Sequence, residues 1–68
     1  MSPVIEAVTL VLEQADRPLR AREIQAASEA LAGETLLWTS VKAALAAGAS
    51  GDSPRFQRIR YGVYQKVR

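Results

Sequence analysis

With no cysteine to staple it, a chain of 68 residues must draw its stability from one hydrophobic core. A domain of this size buries only about 60% of the surface its unfolded chain exposes, and about 0.05–0.15 kcal/mol per residue leaves a net stability of roughly 3–10 kcal/mol. Every large apolar side chain is therefore committed, and 1–68 reads as a single domain with no sheltered cleft between two. Histidine is absent as well, so the sequence lacks thiols, the commonest metal ligands and the usual near-neutral proton shuttle. Its seven scattered carboxylates come without a glycine-rich phosphate loop or a metal-ligand cluster. The expectation is a non-enzymatic domain with no cofactor, no metal and no small-molecule substrate.

The helices are marked by their breakers. Ser2 can accept an orphan amide hydrogen, and Pro3 at the first helical position loses nothing by having no N–H. Val4, Ile5, Val8, Val11, Leu12 and Ala15 then recur on one face, predicting a first helix over about 3–15. Asp16-Arg17-Pro18 ends it, and Pro18-Leu19-Arg20 reads as a short extended segment able to pair with the edge of a small sheet. A second helix opens near Ala21 without a good cap, carries Ile24, Ala27, Ser28 and Leu31 on one face, and ends at Gly33. Glu34 to Trp38 connect, and Thr39 is the best N-cap for a third helix with Val41, Ala44, Leu45 and Gly48 inward, fraying near Gly48.

A polar loop, 48–54, precedes two runs rich in aromatic and β-branched residues, Phe56 to Ile59 and Val63 to Val67. Arg60-Tyr61-Gly62 between them matches a three-residue hairpin loop with glycine where positive φ is needed. The predicted order is α-β-α-α-β-β, an α+β winged helix-turn-helix of three helices and a C-terminal β-hairpin wing. The same elements also permit a three-helix bundle trailing a basic tail. No apolar run approaches the roughly 20 residues that span a bilayer, and the start of the chain lacks a signal peptide's pattern. A soluble protein is expected: cytoplasmic, nucleoid-associated in a bacterium, nuclear in a eukaryote.

The net charge of +2 hides an asymmetry. Residues 1–54 carry four basic and seven acidic side chains, whereas residues 55–68 carry five basic (Arg55, Arg58, Arg60, Lys66, Arg68) and none acidic. Such a basic block is either a solvated tail or a docking surface for phosphates. The aromatics woven through it favour the second.

The segments Pro18-Leu19-Arg20-Ala21-Arg22-Glu23-Ile24, Trp38 to Leu45, and Arg55-Phe56-Gln57-Arg58-Ile59-Arg60-Tyr61-Gly62-Val63-Tyr64 resemble the HARE-type helix-turn-helix, a winged-helix family. The hairpin piece, with Phe56, Ile59, Gly62 and Tyr64, is the most specific. The resemblance implies a DNA-binding module in transcription regulation or DNA modification and restriction, with a recognition helix at 39–47 and a wing at about 55–67.

The outward face of that third helix holds Thr39, Ser40, Lys42, Ala43, Ala46 and Ala47. Reading bases in the major groove relies on Arg, Lys, Asn or Gln, so one lysine and two hydroxyls spell little of a code, and weak or shape-led preference is expected. The wing residues Arg55, Arg58, Arg60 and Lys66 are expected at phosphates, with an arginine at the tip suited to the minor groove and Gln57 and Gln65 adding reach. Arg20 and Arg22 at the mouth of the second helix are further phosphate candidates, with pairing of Arg22 to Glu23 or Asp16 as the alternative. Phe56, Ile59, Val63 and at least one of Tyr61 and Tyr64 are expected in core or sheet, and Trp38 as a cap on the core. The rival function is protein interaction: Leu10 lies opposite the buried stripe, near Pro3 and Ala7, as a strip for dimerisation or docking. Double-stranded DNA is the expected partner, a protein partner or second copy the alternative, and a membrane is not expected.

Overall fold

The computed structural model describes residues 3–67. Its elements are α1 (Pro3–Gln14), β1 (Leu19–Arg20), α2 (Ala21–Ala32), α3 (Trp38–Gly48), β2 (Phe56–Arg60) and β3 (Val63–Lys66). The strands form one antiparallel sheet in the order β1-β3-β2. Three helices with a short strand before the second and a terminal hairpin constitute a winged helix-turn-helix. The expected cap Ser2 lies outside the described residues. Among the described residues no helix is long and apolar enough to cross a membrane.

The core is built where the apolar spacing requires it. Val8 and Leu12 of α1, Ile24 of α2, Val41, Ala44 and Leu45 of α3, Leu36 from the connection and Phe56 from the hairpin form one buried cluster. Burying each of the larger of these side chains contributes about 1.5–3 kcal/mol. Phe56 ties the hairpin to the helices, since its ring lies over Gly48 so closely that a Cβ there would overlap it. The Gly48 carbonyl also accepts the Arg55 N–H at 2.8 Å, fixing the root of the wing to the end of α3. These two contacts exclude the bundle with a free tail.

Several local expectations are corrected. Helix α3 begins at Trp38 with Leu37 in the cap position, so Thr39 lies inside the first turn and caps nothing. The reason is the preceding connection: the Leu36 N–H donates to Glu29 Oε2 at 2.8 Å and its carbonyl accepts from Gln25 Nε2 at 3.2 Å. With Leu36 clamped, Leu37 is the residue whose carbonyl takes the Val41 N–H, 3.0 Å away. The same clamp turns α2 so that its Gln25 and Glu29 side is half-buried. Ala27 and Leu31, expected inward, are consequently exposed, Leu31 by 50%.

The start of α2 is better secured than its sequence implies, because Glu23 reaches back one turn and accepts the Arg20 N–H at 2.9 Å. Gly33 closes the helix in left-handed geometry, φ 76°, donating to the Glu29 carbonyl. In the hairpin, Arg58 pairs with Tyr64 and Arg60 with Val63, so Ile59 is the extra residue of a β-bulge. The loop shrinks to Tyr61-Gly62, with Gly62 at φ 75°. Ile59, on the sheet face opposite Phe56, and Tyr61, in the turn, lie outside the core that Phe56 and Tyr64 join.

Candidate nucleic-acid interface

Residues paired across a sheet share a face, so the register sorts the basic side chains of the wing. Leu19, Tyr64 and Arg58 form one row, and Leu19 and Tyr64 pack against the core. Arg58 consequently stands on the helix side of the sheet, bordering a shallow groove with Tyr64 and with Ala46 and Ala49 at the end of α3. Arg20, Val63 and Arg60 form the next row, on the other side. Two strand spacings, about 10 Å, separate Arg20 from Arg60. The bulge at Ile59 causes this split, since regular alternation would set Arg58 and Arg60 on one face.

The tip of the wing is tied to the start of α2 by the Ala21 N–H, which donates to the Gly62 carbonyl at 2.8 Å. One residue on, the guanidinium of Arg22 stacks on the indole of Trp38, 3.8 Å from the ring centroid, and donates to Gln25 Oε1 at 3.1 Å. Arg22 is thus held at the first turn of α3 and pairs with neither Glu23 nor Asp16. Glu23 belongs to Arg17, at 3.0 Å. That hydrogen bond, followed by the one from the Arg20 N–H, holds the Glu23 carboxyl below the usual carboxylate range and raises the Arg17 guanidinium above its ordinary value.

Lys42 lies four residues beyond Trp38, on the same side of α3, with Thr39, Ala43, Ala46 and Ala47 exposed along the helix and Ser40 half-buried. Cationic groups therefore run from the wing tip (Arg60) through Arg20 and Arg22 to Lys42, with Arg58 beside the end of α3. Among the described residues no carboxylate forms an ion pair with Arg20, Lys42, Arg58 or Arg60, although the charge of Arg20 acts on the nearby Glu23 carboxylate. Their charge is available to a ligand.

Two of the predicted residues sit apart from this run. Lys66, at the root of the wing, donates to the Glu13 carbonyl at 3.3 Å, where a cation suits the open carbonyls at the end of α1. Arg55 is exposed beside the loop, with its backbone bridging Gly48 and Val67. Gln57 and Gln65 pair with each other and border a groove with Arg17 and Pro18.

The rival surface also takes shape. Leu10, 43% exposed, meets Leu31 of α2 across a groove of about 380 Å³ bordered by Pro3, Glu6 and Glu34. Ala7, expected outward beside Leu10, is buried because α2 covers that edge of α1.

The sequence gives no local sign of the Arg22–Trp38 stack, whose members are far apart along the chain. Nor does it reveal the bulge at Ile59 beside the exposed Tyr61, since hydrophobic alternation carries no mark of an extra residue. The Tyr-Gly turn alone hints that this tyrosine faces solvent. Comparison with protein-family models, with curated proteins and with solved structures gives no match.

Proposed function

We propose that this winged helix-turn-helix is a non-enzymatic module that binds double-stranded DNA mainly through its phosphates, with membership of the HARE-type family as part of the same proposal. The observation that carries the reading is the run of cations from Arg60 through Arg20 and Arg22 to Lys42, none of them ion-paired among the described residues, alongside the exposed face of α3. A helix face of Thr39, Ala43, Ala46 and Ala47 is narrow enough to approach the groove floor and has few donors for base edges. Arg22, Lys42 and Arg60 then supply backbone contacts on either side of it. Sequence preference is weak and led by shape. Transcription regulation and DNA modification or restriction are the settings in which such a module serves.

With three to five phosphates neutralised, the logarithm of affinity falls with the logarithm of salt at a slope of about −3 to −4.5. Charge reversal at Arg58 and Arg60 abolishes binding; unchanged binding in that double variant excludes the wing as the contact surface. A second reading rests on the groove between Leu10 and Leu31, which suits self-association. Leu10→Ser then weakens association without unfolding the chain, and sedimentation of the native chain as a monomer removes that reading.

A further inference from the structure

Tyr61 is 84% exposed, the largest exposure among the apolar and aromatic side chains that stand out on this surface. Its support is not loose. Gly62 turns the chain at φ 75°, and the Gly62 carbonyl is anchored to the Ala21 N–H. The pairing of Val63 with both Arg20 and Arg60 holds the two strands next to the tip. Ile59, on the sheet face opposite Phe56, leaves a second apolar side chain 43% exposed two residues away. A rigid, amphipathic ring held in water on an anchored turn offers a large contact area at little entropic cost.

The surroundings specify the ligand's chemistry. Arg60 is adjacent and Arg20 lies across β3, and neither is held in an ion pair among the described residues. A cationic rim around an aromatic face fits a polyanion that also presents flat π surfaces. In continuous duplex those surfaces are covered by neighbouring base pairs, so a tip lying on it meets sugar, phosphate and base edges but no open base face. They are open where a strand is unpaired.

We infer that Tyr61 is a stacking platform for an unpaired base, and that the module prefers DNA in which duplex adjoins a single strand over uninterrupted duplex. The inference rests on the DNA-binding reading and narrows its substrate. It assigns the wing tip to the junction, while Arg20, Arg22 and Lys42 hold the duplex beside it.

Two probes of identical stem sequence test it at low salt: a stem closed at both ends by a base-free linker, and the same stem with one end opened into a short unpaired arm carrying 2-aminopurine at its first unpaired position. The native chain binds the open probe about 5- to 150-fold more tightly, the range that one stacked base contributes. It also quenches the 2-aminopurine emission as the base stacks. Tyr61→Ala brings the open probe down to the affinity of the closed stem, and Tyr61→Phe, which keeps the ring, restores the difference. Equal affinity of the native chain for both probes, or a preference that survives Tyr61→Ala, overturns the inference and leaves duplex binding standing. Failure to bind either probe overturns the DNA-binding reading and this one with it.

Discussion

Replacing Gly48 with alanine drives a methyl group into the ring of Phe56. The backbone itself would welcome the change, because Gly48 closes α3 without positive φ and alanine gains about 0.5–1 kcal/mol over glycine within a helix. The ring opposes it: Phe56 is 1% exposed, and a Cβ at position 48 would overlap Cζ and Cε2 and lie 2.8 Å from Cε1. Relieving such an overlap in a packed core costs about 1–3 kcal/mol. The net expectation for Gly48→Ala is a loss of about 1–2 kcal/mol, which for a domain of this size lowers the melting temperature by roughly 5–15 °C. Far-UV circular dichroism during thermal and urea unfolding measures it. Phe56→Leu provides the control, because trimming the ring removes the clash: this second substitution should cost clearly less when added to Gly48→Ala than when made in the native chain. If Gly48→Ala equals or exceeds the native stability, the ring does not lie on Gly48 and the root of the wing is misplaced.

Three further outcomes follow from buried or paired polar groups. Ser28 Oγ is buried without a hydrogen-bond partner among the described residues, so Ser28→Ala should raise stability by about 1 kcal/mol; an unchanged or lower urea midpoint contradicts that. Glu29→Ala strands the N–H of buried Leu36 and should cost about 1–3 kcal/mol while accelerating exchange of the Leu36 amide, and a protected amide in the variant refutes the clamp. The carboxyl of Glu23 is held below its ordinary value, so its contribution is present above about pH 4.5, the unperturbed value, and fades as pH falls from there through the lower folded value. Glu23→Gln should flatten the stability profile in that acid window and leave its shape near neutrality unchanged, as urea midpoints measured across the range would show.

The order of elements was legible because each boundary has a local cause. Pro18 ends one helix, Gly33 another, and Phe56 to Val67 changes from helical to strand composition. The inward face of α3 was equally plain, since Val41, Ala44, Leu45 and Gly48 are all buried. What escaped the sequence depends on residues far apart in it. Thr39 is the better N-cap by type, yet the clamp of Leu36 by Gln25 and Glu29 sets the start of α3 one residue before it. Leu31 fits the apolar face of α2, but that clamp rotates the helix and leaves Leu31 on a groove with Leu10. Of the candidate interface, the sequence supplied the cations and could not sort them. Register and the bulge at Ile59 separate Arg58 from Arg60, the indole of Trp38 claims Arg22, and Lys66 turns to the end of α1.

The proposal that the cationic run meets duplex DNA is tested most directly by a backbone-amide NMR titration with a short mixed-sequence duplex at low salt, repeated at higher salt. The account predicts shifts concentrated at 20–22, 39–47 and 58–62 that diminish steeply as salt rises. An absence of shifts at low salt, or shifts confined to Leu10, Leu31 and their neighbours, would contradict it.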